Sequence, residues 1–165
     1  LFSVAQELDY LALYYGDAEI DLEALRSALT QSSRFIAFDL GDAMLLGDVD
    51  RVFRIIEGLE AEGEAPTLVN WVLQKEISQI GQMLQKQAAG APPNQVFSGV
   101  WQSKRPLYQA ALSRIDQRLW VNLTRMVVQI DHAIKGQLQE NPWNAIRRVA
   151  FAFAGQRLLS LSAKV

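Results

Sequence analysis

The sequence has no cysteine, a single histidine (His132) and only five prolines in 165 residues. Without cysteine there is no disulfide scaffold, no thiolate zinc site, no iron–sulfur cluster and no thiol nucleophile. That usage fits a reducing compartment and leads us to expect a cytoplasmic protein. A lone imidazole with no second soft ligand makes a poor metal site, so neither metal nor cofactor is expected. No apolar run exceeds the six residues of Val149 to Ala154, whereas a membrane-spanning helix needs about 20; no membrane association is expected. The opening residues, LFSVAQELDY, lack the basic start of a signal peptide. They also lack an initiator methionine, which gives the expectation that the chain is a piece of a longer protein. Phosphate cradles of the GxxxxGK[ST] and GxGxxG types are missing, so ATP hydrolysis by those devices is not expected.

What is present is an ordinary globular composition, 50% hydrophobic and 21% charged, on a chain long enough to bury a sizeable core. The net charge is −2, against a freestanding nucleic-acid binder held by a strong positive field. Its distribution is uneven. Residues 1–64 carry fourteen acids and four bases, net −10, and residues 65–165 carry four acids and twelve bases, net +8. Neutralisation across the fold is the simpler reading, and a basic face for DNA or an acidic partner is the sharper one.

Apolar residues recur at helical spacing throughout, and no stretch alternates long enough for a strand. Val4, Leu8, Leu11 and Tyr15 predict one amphipathic helix, and Leu22, Leu25 and Leu29, capped by Asp21, a second. A polar break at Gln31 to Ser33 marks a boundary, dividing residues 1–33 from residues 34–165. Phe38, Leu40, Ala43, Met44 and Leu45 predict a helix ending at Gly47. Asp48 caps another, with the stripe Val49, Val52, Phe53, Ile56 and Leu59, which Gly63 terminates. Pro66 suits the first turn of a helix carrying Val69, Leu73, Ile77, Ile80 and Leu84. AGAPPNQ reads as a flexible linker, followed by a short element from Val96 to Trp101 and a helix from about Arg105 to Ile115. A long helix with Leu119, Leu123, Met126, Ile130 and Ile134 comes next. Asn141 and Pro142 open the last, with Trp143, Ile146, Val149, Phe153 and Leu161. The expected fold is an all-α helical bundle.

Chemistry is sparse. Asp39 and Asp42 share a helix face, as paired carboxylates do in acid–base or metal sites, but their position in FDLGDAM suits a first-turn role in the helix dipole. The Gly-Asp pairs at 16, 41 and 47 read as turn and cap chemistry. His132, between Asp131 and Lys135, reads as a half-exposed structural side chain. Asn122 to Thr124 matches a glycosylation acceptor by chance, inside a helix. Two surfaces remain. One is VWQSKRPL, residues 100–107, where a tryptophan adjoins two cations, a hot-spot composition. The other is the basic set Arg114, Arg118, Arg125, Arg147 and Arg148, suited either to phosphates or to the acidic half.

Three stretches together carry a resemblance: ELDYLALYYGDAEIDLEALRSAL, FIAFDLGDAMLLGDVDRVFRIIEGLEAEGEAPTLVNWVLQKEI and GVWQSKRPLYQAALSRI. In their order and spacing the chain resembles the C-terminal part of the delta-subunit family of the bacterial DNA polymerase III clamp loader. The likeness weakens after about residue 136. It implies that residues 1–33 are the end of a small helical lid domain and residues 34–165 a collar domain that joins subunits into a ring. The partners implied are the ATPase (gamma/tau) and delta-prime subunits. The sliding clamp would be met only by an N-terminal domain outside this chain.

The resemblance implies no catalysis by the chain itself. Phe97, Trp101, Lys104 and Arg105 are the assembly-face candidates. Collars of the family approach template DNA near the loop between the last two helices. Here that loop, Gly136 to Pro142, offers no aromatic ring for stacking, and only Lys135 stands ready for a phosphate. Two other readings stay open: direct DNA binding by the basic half, and a helical enzyme using Asp39, Asp42 or His132.

Overall fold

In a computed structural model the described residues are 36–156. The chain divides between Ser33 and Arg34, and the described residues belong to the second unit. The two helices expected before residue 31, the lid assignment and Leu161 lie outside the described residues.

Every regular element among the described residues is helical. Helix α1 is described over 36–46 and α2 runs Val49–Ala61. The longest, α3, runs Pro66–Ala88. A single turn, α4 (Pro93–Val96), and a 3-10 turn, Gln102–Lys104, lead into α5, Arg105–Leu112. Then come α6, Gln117–Ile134, and α7, Pro142–Ala154. Helices α3, α6 and α7 pack against one another, α2 lies on α7, and α4 and α5 lie on α3.

The starts are set locally. Asp48 accepts a hydrogen bond from the Arg51 amide at 3.0 Å, Asp116 from Leu119 at 2.7 Å and Asn141 from Trp143 at 2.8 Å, each satisfying an amide that has no partner within its helix. Helix α3 lacks a side-chain cap and begins with Pro66, whose missing N–H needs no partner there. Between α1 and α2 the chain turns at Gly47, φ 81°, a left-handed conformation that disfavours a Cβ.

Leu40, Met44, Val52, Ile56, Leu59, Leu73, Ile80, Leu123, Ile130, Ile146 and Phe153 are buried in one continuous core, each worth about 1.5–3 kcal/mol against exposure. Two residues of the expected stripes lie on the surface instead. Phe38 and Phe53 are exposed, because each sits at the edge of its helix's apolar face and pairs with another ring there. Gly41 is not in a turn. It lies within α1, buried, facing α3, where a Cβ would stand at ordinary contact distance, 3.5 Å, from Glu76 and Val72. The expected linker at AGAPPNQ contains the helical turn α4, because Pro92 and Pro93 fix the backbone at its start. No helix among the described residues is long and apolar enough to cross a membrane.

Candidate functional site

The segment from Val96 to Tyr108 gathers the four assembly-face candidates, and the structure separates them. Phe97, at 8% exposure, is part of the core. Trp101, four residues on, is 83% exposed. Gly99, φ 82°, turns the backbone between them. Lys104 is partly exposed but turned back onto the bundle. Its Nζ donates to both carboxylate oxygens of Asp42 on α1. Arg105 is half-buried, and its Nε is enclosed without a hydrogen-bond partner.

Two further contacts hold this segment. Lys86 of α3 donates to Ser98 Oγ at 2.9 Å, and Tyr108 of α5 donates its hydroxyl to Glu76 Oε2 at 2.6 Å. Glu76 is only 5% exposed, and Lys75 Nζ lies 3.5 Å from its other oxygen. Burial, then the hydrogen bond to the Glu76 carboxylate, pushes the Tyr108 phenol far above its ordinary value, with the charges of Glu76 and Asp42 adding to the effect. The phenol therefore stays protonated and donating across all physiological pH.

The basic set is largely committed within the fold. Arg114 donates to the carbonyls of Met44 and Leu45 at 3.2 and 2.7 Å, of Leu46 at 3.3 Å and of Ala110 at 2.7 Å. Three of these are the last carbonyls of α1; Met44 also accepts from the Gly47 amide at 3.1 Å, while the Leu45 and Leu46 carbonyls accept from no amide of the helix, and the guanidinium opposes the negative end of the dipole there. Burial lowers the pKa of this group from its ordinary value. Arg147 bridges α7 to α2 by donating to Glu57 at 2.9 Å and to Glu60. Arg148 donates to Glu140, at 3.0 Å for one of the two contacts. That hydrogen bond holds the Glu140 carboxyl below the usual carboxylate range, against the opposing effect of its burial. Arg118 and Arg125 are exposed, with no ion pair to another described residue within 4.0 Å. Thus the acidic and basic halves do neutralise one another at several points.

The remaining candidates are structural or superficial. Asp42 stands in the interior of α1 rather than its first turn and serves Lys104, and Asp39 faces Arg51 at 3.6 Å. Lys135 is exposed and donates to Asp131 at 2.6 Å. His132 is exposed on α6. Thr124 donates its hydroxyl to the Trp120 carbonyl at 2.9 Å, within the helix that carries the glycosylation-like triplet.

Two aromatic pairs that no motif in the sequence marks lie at the surface, with Phe38, Trp71 and Phe53 exposed and Phe151 half-buried. Phe38 of α1 meets Trp71 of α3 edge-on, ring centroids 5.9 Å apart, with Lys75 Nζ 5.3 Å from the Phe38 ring and 5.9 Å from the Trp71 ring. Phe53 of α2 stacks with Phe151 of α7 at 6.4 Å. Trp71 carries the signal that was available: it falls two residues after Val69, out of phase with the buried stripe of α3.

Among the described residues no three or more His, Asp or Glu side chains are grouped to hold a metal ion. What the surface offers is exposed aromatics on a bundle whose ionisable groups largely bind one another, an arrangement suited to packing against another macromolecule. Comparison with known proteins points the same way. Residues 37–159 match the family described as "Processivity clamp loader gamma complex DNA pol III C-term". The "DNA polymerase III subunit delta" of Haemophilus influenzae is 27% identical over 153 residues, covering 87% of this chain and 44% of that protein. Its namesake in Escherichia coli is 27% identical over 145 residues, covering 87% and 42%. The chain thus spans under half the length of these relatives. With the family match extending over most of its length, the chain belongs to the C-terminal family of the DNA polymerase III clamp-loader delta subunit.

Proposed function

We propose that this chain is the collar of a clamp-loader delta subunit, a structural module that holds the loader together while its ATPase subunits move. The observation that carries the reading is the division of labour among side chains. Lys104, Arg114, Arg147 and Arg148 are engaged inside the bundle, while Trp101, Trp71, Phe38 and Phe53 remain exposed. Such a surface packs against a partner and leaves little polar equipment for covalent chemistry. The partners in this reading are the ATPase (gamma/tau) and delta-prime subunits, met through homologous helical bundles. The chain is non-catalytic by itself and works in the cytoplasm, and the sliding clamp is met by an N-terminal region outside it.

A second reading has one observation in its favour. Trp101 is an exposed indole followed closely by Arg105, and such a ring is a platform on which an unpaired base stacks. It weakens the wider DNA-binding alternative, however, that Lys86, Arg114, Arg147 and Arg148 already have internal partners, leaving Arg105, Arg118 and Arg125 of the described basic half for phosphates. Light scattering on mixtures with the ATPase and delta-prime subunits tests the first reading. Anisotropy of a labelled primer–template over a salt series tests the second, which requires binding that falls steeply with salt.

A further inference from the structure

The turn that carries Trp101 has no helix or strand of its own to hold it. It is tied at both ends instead. On one side Val96 and Phe97 are buried in the core and Ser98 accepts from Lys86. On the other, Lys104 and Tyr108 reach across to Asp42 and Glu76, 62 and 32 residues away in sequence. The Lys104 amide also donates to the Trp101 carbonyl at 2.9 Å, which links the backbone of Lys104 to that of Trp101.

The two carboxylates are brought together by α1 and α3. A Cβ on Gly41, which adjoins Asp42, would stand 3.5 Å from the Glu76 side chain, and Tyr108 lies within the field of both acids. A buried carboxylate is a poor choice for stability alone, since an apolar pair of the same shape does as well or better. It is a good choice for specifying one arrangement, because its geometry admits few alternatives.

We propose that Asp42 and Glu76 are positioning residues for Trp101, holding Lys104 and Tyr108 so that the backbone carrying the exposed indole is presented to the partner in one place. This rests on the reading of Trp101 as a contact residue of the loader. The gain is preorganisation: a turn whose backbone is already ordered loses less freedom on binding. Lys104, in consequence, contributes through Asp42 and not by touching the partner.

The test uses the chain labelled with 5-fluorotryptophan, which gives four fluorine resonances for its four tryptophans, Trp101 being assigned by its loss in Trp101→Phe. In Asp42→Asn and in Tyr108→Phe the Trp101 line shifts or broadens while those of Trp120 and Trp143 hold, and the chain's affinity for the ATPase–delta-prime mixture falls by about three- to tenfold. Asp39→Asn, an exposed acid on the same helix, leaves both unchanged. High salt reproduces the Asp42→Asn spectrum more than the Tyr108→Phe one, because the first pair is partly exposed and the second buried. An unchanged Trp101 line in both variants, or equal changes in all four lines, overturns the proposal. Trp101→Phe reads the contact separately: if it leaves complex formation unaltered, the assembly role of Trp101 fails, while the fluorine spectra still decide the clamp.

Discussion

The indole of Trp120 lies across the face of α3 at Gly81, where a Cβ would stand 2.4 Å from its Nε1, and the same N–H donates to the Ile77 carbonyl at 3.1 Å. A glycine in the interior of a long helix normally costs stability relative to alanine, about 1 kcal/mol. Here it provides the groove by which α6 packs onto α3. Gly81→Ala should therefore destabilise the chain despite its better helix propensity, by about 1–3 kcal/mol, because the ring must leave its place and its hydrogen bond. Thermal or urea unfolding checks this. A variant as stable as the parent would mean that Trp120 moves freely.

Arg114 joins α5 to the end of α1, and its side chain passes both Gly47 and Gly155, where added Cβ atoms would meet it at 3.0 and 3.2 Å. Arg114→Ala leaves the Leu45 and Leu46 carbonyls without their donor, while Met44 keeps the Gly47 amide, and should cost about 2–3 kcal/mol. Arg114→Lys should recover little of this, since one ammonium cannot span the fork of acceptors. Paired denaturant titrations of the two variants make the comparison.

Tyr108 gives a pH dependence whose sign follows from its environment. Its pKa is raised in the fold above the ordinary 10.0, so its contribution is fully present below that pH. It is lost as pH rises further, because the unfolded chain releases the proton while the folded one keeps it. Tyr108→Phe should be less stable at neutral pH by about 1–3 kcal/mol, with Glu76 left without its donor. Its stability should also fall less steeply above pH 10. Urea midpoints measured from neutral to alkaline pH separate the two effects.

Phe97 and Trp101 are close in sequence and opposite in role. Phe97→Ala should cost about 3–5 kcal/mol as a core truncation. Trp101→Ala should change folding stability by less than about 0.5 kcal/mol yet weaken association with a partner by about 2 kcal/mol if it is a hot spot. Melting curves and binding isotherms on the two variants decide it.

The helix starts and stops were legible because they are local. Asp48, Pro66 and Asn141 satisfy or omit amides of their own first turns, and Gly47 and Gly63 adopt left-handed backbone at helix ends. The site was less legible because its logic is long-range. Nothing near Lys104 in sequence indicates Asp42, and nothing near Arg114 indicates the carbonyls of residues 44–46. The two aromatics of the 97–101 turn have no periodic pattern to say which is buried. Phe53 falls within a helical stripe yet lies outside, stacked on a ring of another helix. The family resemblance, carried by the order of whole segments, reached further than any single motif did.

If this chain is an assembly module, it enters a complex when mixed with ATPase and delta-prime subunits, and size-exclusion chromatography with light scattering measures the mass of that complex. The account predicts a complex whose mass contains one copy of the chain, reduced in yield by Trp101→Ala and unaffected by Asp39→Asn. A chain that elutes alone from every mixture, while a full-length delta subunit enters the complex, would contradict it.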